Sequence, residues 1–209
     1  VLVQGFGARH VVAGYDFVFG HNRGGNCEML LAMGQKLGFG FTAVSAVEDS
    51  DGMIYSSTRI RECLNAGDPA GAAAILGRPF EIEGRVAHGD KRGRTIGFPT
   101  LNLHLGSLVR PALGVYAVRI GKLTPQGETW MDGVANIGVR PTFGGDDVVL
   151  EAHAFDFEGD LYGQLVTVAL IGYIRAEKKF DGLDALKAQI AADCDTARGI
   201  LNELRANET

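Results

Sequence analysis

The apolar positions of this chain change their period once. Up to residue 76 they alternate between short β-type runs and helical spacings, and from Phe80 onward they fall mostly into period two. Residues 11–17 are a β-branched apolar run flanked by glycine and closing on an acid, which predicts a buried strand. Residues 26–37 carry Cys27, Leu30, Leu31, Met33 and Leu37 at helical spacing, with Asn26 as N-cap and Gly38 as the stop. A second strand over 39–47 completes the order strand, helix, strand, and that order predicts an α/β layer with a parallel sheet. A further helix opens at Ser56, Ser57 or Thr58, all good N-caps. Another runs over 69–76 into Gly77, Arg78 and Pro79, the expected linker, so the domains are taken as 1–76 and 77–209. Alternating runs at 80–86, 113–120, 130–137, 148–157 and 165–174, with turn residues between them, predict a closed or nearly closed antiparallel barrel. Residues 180–204 form one amphipathic helix, with Leu183, Leu186, Ile190, Ala197, Leu201 and Leu204 on one stripe, expected to pack across the barrel.

Composition narrows the class. With 209 residues, 46% hydrophobic and 22% charged, this is an ordinary globular chain of one or two domains. A net charge of -5 argues against bulk attraction to nucleic acid or anionic lipid, so any basic cluster suits small anions better than polymers. Cys27, Cys63 and Cys194 lie far apart with no C-x-x-C, which points to a reducing compartment and a cytoplasmic location. No apolar run reaches membrane-spanning length and the N-terminus has no signal pattern; the chain starts at Val1 rather than Met, inside what reads as a strand approach, which suggests a fragment.

The densest chemistry lies between Gly89 and Asn102. Nine residues, Gly89 to Gly97, hold three glycines and the cations Lys91, Arg92 and Arg94. Such a loop brings backbone N–H groups and positive charge to an anion. Pro99 pushes Phe98 toward an extended backbone, so Thr100 and Asn102 enter a strand and face the same side. A hydroxyl beside an amide carbonyl is a pair of hard oxygen ligands that suits Mg²⁺ when phosphates complete its shell. The alternative is a basic surface hairpin. Further along, Glu151, His153 and Phe155 share one strand face, opposite Val148, Leu150, Ala152 and Ala154. A mid-strand acid between apolar neighbours is costly unless used, which makes Glu151 the candidate base, with His153 as a lesser candidate to assist. Arg59 and Arg61 in the first turn of a helix oppose its dipole; a bound phosphate would explain them, and so would nearby acids. Gly5 and Gly7 begin an incomplete G-x-G-x-x-G, with His10 where the third glycine belongs, so a dinucleotide fingerprint is not supported.

The sequence GFPTLN at 97–102 resembles the GFPTAN of riboflavin kinases, and so do residues 113–116, 133–142, 150–153, 160–163 and 170–180. The upstream residues 14–20 and 56–61 are similar to the second half of the FMN adenylyltransferase domain of bacterial bifunctional FAD synthetases. The resemblance implies an α/β part, a partial Rossmann-like nucleotidyltransferase half-domain, followed by an antiparallel Greek-key β-barrel with a C-terminal helix. It implies riboflavin and ATP as substrates, FMN as product, and Mg²⁺ with ATP phosphates held by Thr100 and Asn102. Glu151 would take the proton of the ribityl 5′-hydroxyl, and Gly84, Gly89, Lys91, Arg94, Gly97 and Pro99 would border the nucleotide. The flavin would lie near Arg175 and Phe180. Ser56, Ser57, Thr58 and Arg61 would be phosphate contacts of nucleotidyl transfer. Leu101 replaces the family's alanine, and its side chain is expected to point away from Thr100 and Asn102. The family's H-x-G-H has no match in the chain, so FAD synthesis is not expected of it. A piece of a complete bifunctional enzyme, or a flavin-binding barrel without catalysis, are the alternatives.

Overall fold

The computed structural model describes residues 1–50, 52–87, 97–124, 127–142 and 145–207. Its chain packs as two compact units, Val1–Tyr55 and Ser56–Thr209.

The first unit contains α1 (Leu2–Phe6), β1 (His10–Gly14), a 3₁₀ turn (His21–Arg23), α2 (Cys27–Leu37) and β2 (Gly40–Val44). Helix α2 starts where the Asn26 side chain accepts from Met29 N at 2.9 Å and ends at Gly38, which is left-handed. Strands β1 and β2 pair in parallel, His10 opposite Gly40 and Gly14 opposite Val44, in the sense expected of an α/β layer. Two corrections apply to the first strand. It ends at Gly14 rather than Phe17, because Phe17 N turns back onto Gly14 O at 3.0 Å. Nor is it buried: Val11 and Ala13 are half-covered, but Val12 on the other face is 62% exposed.

The second unit contains α3 (Ser57–Asn65), α4 (Pro69–Leu76), β3 (Phe80–Arg85), β4 (Leu101–His104), β5 (Gly114–Thr124), β6 (Gly127–Thr142), β7 (Gly145–Ala154), β8 (Leu165–Arg175) and α5 (Leu183–Asn207). Ser56 caps α3 through its hydroxyl, and α4 has Asp68 as its cap and Pro69 in its first turn. The six strands form one antiparallel sheet in the order β3-β8-β5-β6-β7-β4. It curls until its two edges approach, where Ala87 N donates to Asn102 O at 2.9 Å. Alternation sorts the residues. Ile82, Leu103, Tyr116, Ile120, Ile137, Leu150 and Val168 fill the inner face. The Tyr116 hydroxyl donates to Ala112 O at 2.6 Å, and burial pushes its pKa up. On the outer face Val115, Ala117 and Val134 pack against Cys194, Ala197 and Leu201 of α5. The expected stripe of α5 holds except at its start, where Leu183 is 53% exposed because the helix joins this apolar cluster only from its second turn. No helix among the described residues is long and apolar enough to cross a membrane.

Candidate active site

Strand pairing assembles a polar row that sequence spacing cannot display. Glu151, in the middle of β7, lies opposite Asn102 of β4 on one side and Asn136 of β6 on the other. Cross-strand partners share a face, so these three side chains stand together on the outer face. The row continues through Val115 of β5 to Arg175 of β8. A register shift next to Val115 interrupts the β5–β8 ladder there. The Arg175 guanidinium then bonds both oxygens of Asp193 on α5, at 2.9 and 2.7 Å. Asp193 is 4% exposed, and burial of its charge is tolerated because Arg175 and Gln189 satisfy it.

Thr100 precedes β4 and is placed by its neighbours. Leu101, the departure from the family pattern, points into the inner core at 6% exposure. His153 Nδ1–H donates to Pro99 O at 2.8 Å, and its ring meets Phe98 and Phe155 edge-on. His153 therefore holds the segment entering β4, and it also lines the cavity beside Glu151. Arg140 of β6 completes the cluster, donating to Asn102 Oδ1 at 3.3 Å and forming an ion pair with Glu151.

A cavity of about 370 Å³ opens beside this row. Its walls are largely apolar, from Phe98, Val115, Val134, Phe180, Leu186 and Ile190, while Thr100, Asn136, Glu151, Arg175 and Glu177 bring polar atoms to it. That composition suits a planar, mostly apolar ligand with one polar end. Asn136 Nδ2 donates to Glu177 Oε1 at 3.1 Å, and a Cβ at Gly138 would lie 2.4 Å from that oxygen, so a larger residue there would displace the Glu177 carboxylate. Arg175 and Lys178 approach the Phe180 ring at 5.7 and 5.3 Å. A smaller cavity of about 80 Å³, bordered by Val86, Pro99, Asp160 and Tyr162, also has Thr100 in its wall. Thr100 is thus shared by two recesses. No cluster of three or more His, Cys, Asp or Glu that could hold a metal ion exists among the described residues. A hydroxyl and an amide oxygen fit a hard divalent cation whose remaining ligands come from phosphate.

The structure thus brings Thr100, Asn102, Glu151, Arg175 and Phe180 together. Gly97, with φ 91°, and Pro99 lie at the entry to β4, whereas Gly84 backs onto Leu103, whose side chain a Cβ would meet at 3.4 Å. Gly89, Lys91 and Arg94 fall outside the described residues. Ser56, Ser57, Thr58 and Arg61 sit at the start of α3 and line neither recess; Arg61 turns back to donate to Ser57 Oγ at 3.0 Å. Sequence reasoning missed Asn136, Arg140, Glu177 and Asp193. Asn136, Arg140 and Glu177 lie within the family-like segments 133–142 and 170–180 without being singled out, and Asp193 left its signal as an acid three residues after Ile190 and four before Ala197 on the apolar stripe.

Comparison with known proteins identifies the family. A family model described as riboflavin kinase matches residues 76–201, and one described as FAD synthetase matches residues 1–59. A bifunctional riboflavin kinase/FMN adenylyltransferase of Pseudomonas fluorescens is 44% identical over 201 residues, 96% of this chain and 63% of that protein. The protein of the same name from Escherichia coli K12 is 45% identical over 198 residues, covering 95% and 62%. A crystal structure from Streptococcus pneumoniae, described as a macrolide-efflux protein, superposes with a TM-score of 0.74 at 36% identity, covering 94% of this chain and 62% of that one. The chain spans a little under two thirds of the length of these curated relatives.

Proposed function

The chain belongs to the riboflavin kinase family, and from that premise we propose that it transfers the γ-phosphoryl group of ATP to the 5′-hydroxyl of riboflavin, giving FMN and ADP. The observation that carries this reading is the row Asn102, Glu151, Asn136 at the edge of an apolar cavity, with Thr100 shared by the recess next to it. The isoalloxazine ring occupies the larger cavity near Phe180 and Arg175, and the ribityl chain points toward Glu151. Glu151 accepts the hydroxyl proton as the oxygen attacks phosphorus. Thr100 and Asn102 hold the divalent cation, taken to be Mg²⁺, which neutralises charge on the phosphates of ATP. Gly84, Gly89, Lys91, Arg94, Gly97 and Pro99 border the nucleotide.

The order of the strands and the bridge between their edges support reading the sheet as a Greek-key barrel. The two family matches support an α/β adenylyltransferase-like part over 1–76 and a kinase part over 77–209. In the first part Ser56, Ser57, Thr58 and Arg61 are the phosphate contacts. Three unpaired cysteines suit a cytoplasmic location.

Incubation of the chain with riboflavin, ATP and Mg²⁺, followed by chromatographic separation of the flavins, tests the reading. FMN together with ADP is the expected result. Riboflavin bound but unchanged would replace it with a flavin-binding module, and FAD would mean that residues 1–59 contribute a second transfer.

A further inference from the structure

The Asn102 oxygen assigned to the metal is already engaged by a cation. Arg140 uses one nitrogen, Nη2, for both Asn102 Oδ1 and Glu151 Oε1. The side chain assigned to the metal and the one assigned to the proton are therefore joined through a single guanidinium. Strand geometry makes this possible. Asn136, Gly138 and Arg140 are alternate residues of β6 and share the outer face, where Asn136 pairs with Glu151 in register.

Both ends of the bridge have a physical reason. Asn102 is 5% exposed, and a buried amide oxygen without a donor is costly; Arg140 supplies the donor. Glu151 gains a charge-assisted bond that fixes its rotamer and leaves Oε2 for a substrate. A divalent cation and a guanidinium on one amide oxygen repel each other strongly. Entry of a metal at Asn102 therefore requires Arg140 to leave that oxygen, and the carboxylate of Glu151 keeps the displaced guanidinium paired.

We propose that Arg140 is a positioning residue that serves as an internal counter-cation: it occupies Asn102 Oδ1 until a divalent metal takes that oxygen, and it holds Glu151 throughout. Metal binding and the release of Arg140 from Asn102 are one event. The inference rests on the assignment of Asn102 to the metal and of Glu151 to the proton.

The test measures Mn²⁺ binding by electron paramagnetic resonance at saturating ADP, alongside kcat and KM for riboflavin, on Arg140→Gln, Arg140→Lys and Asn102→Ala. Arg140→Gln removes the competing cation, so Mn²⁺ should bind about threefold more tightly or better. Its kcat should fall by about tenfold or more because Glu151 loses its holder, with KM for riboflavin little changed. Arg140→Lys keeps the charge but has a shorter reach and no planar guanidinium to hold the Glu151 rotamer, so Mn²⁺ affinity should stay near that of the parent while kcat remains low. Unchanged or weaker Mn²⁺ binding in Arg140→Gln, with binding weakened in Asn102→Ala, overturns this inference and leaves the metal assignment standing. No effect in Asn102→Ala overturns the metal assignment and this inference with it. Should Arg140→Gln not fold, the lysine variant decides: parent-like kcat overturns the positioning role, and low kcat with retained Mn²⁺ affinity upholds it.

Discussion

Glu151 is the residue on which the proposed chemistry turns. Its carboxylate is held by Arg140, its side chain is one third exposed, and it stands between two amides in a row that the strand register imposes. Glu151→Gln keeps size and packing but removes the proton acceptor. We expect kcat for FMN formation to fall by about 10²- to 10⁴-fold with riboflavin affinity retained. A loss of only a few-fold in steady-state turnover would leave Glu151 a positioning role. The choice of Glu151 was available from the sequence, because an acid at the centre of an alternating apolar strand needs a use. The choice of Arg140 was not. It lies within the family-like segment 133–142, but no local pattern names its partner, and its link to Glu151 exists only because β6 and β7 pair in one particular register.

At the scale of elements, the buried charged contact between α5 and the sheet at the cavity is the Arg175–Asp193 pair. Asp193 is almost fully buried and Arg175 largely so, and the arginine also approaches Phe180 in the wall of the cavity. Asp193→Ala strands the guanidinium in a low-dielectric setting. It should cost about 3 kcal/mol of stability by urea unfolding and raise KM for riboflavin, because Phe180 and the start of α5 lose their tether. A cost below about 1 kcal/mol would show that water or Gln189 replaces the carboxylate. Most elements were legible beforehand. Caps at Asn26 and Ser56, stops at Gly38 and Gly77, and period-two runs after Phe80 are local signals, and local backbone chemistry dictates them. The burial of the first strand was misjudged for a matching reason. Apolar composition says that a strand can be covered, but the cover must come from a neighbour, and Val12 stays 62% exposed.

Across the whole molecule apolar burial is uneven. In Val1–Tyr55 only Leu30 and Phe39 are buried apolar side chains among the described residues, whereas the sheet unit holds two buried clusters. Local opening follows buried contact, so the amides of β1, β2 and α2 should exchange with deuterium roughly tenfold faster or more than those of β5 and β6, read by mass spectrometry of peptides. Equal protection in both would mean that the chain unfolds as one cooperative body. By itself the sequence determined the element types, the change from a mixed to an all-strand pattern near residue 77, and the identities of Thr100, Asn102 and Glu151 as candidates, because capping, alternation and the cost of a mid-strand charge act over a few residues. The tertiary structure decided which of these candidates meet, that His153 supports Pro99, and that Arg140 joins Asn102 to Glu151. Those relations depend on strand register and sheet curl, which set distances between residues far apart in the chain.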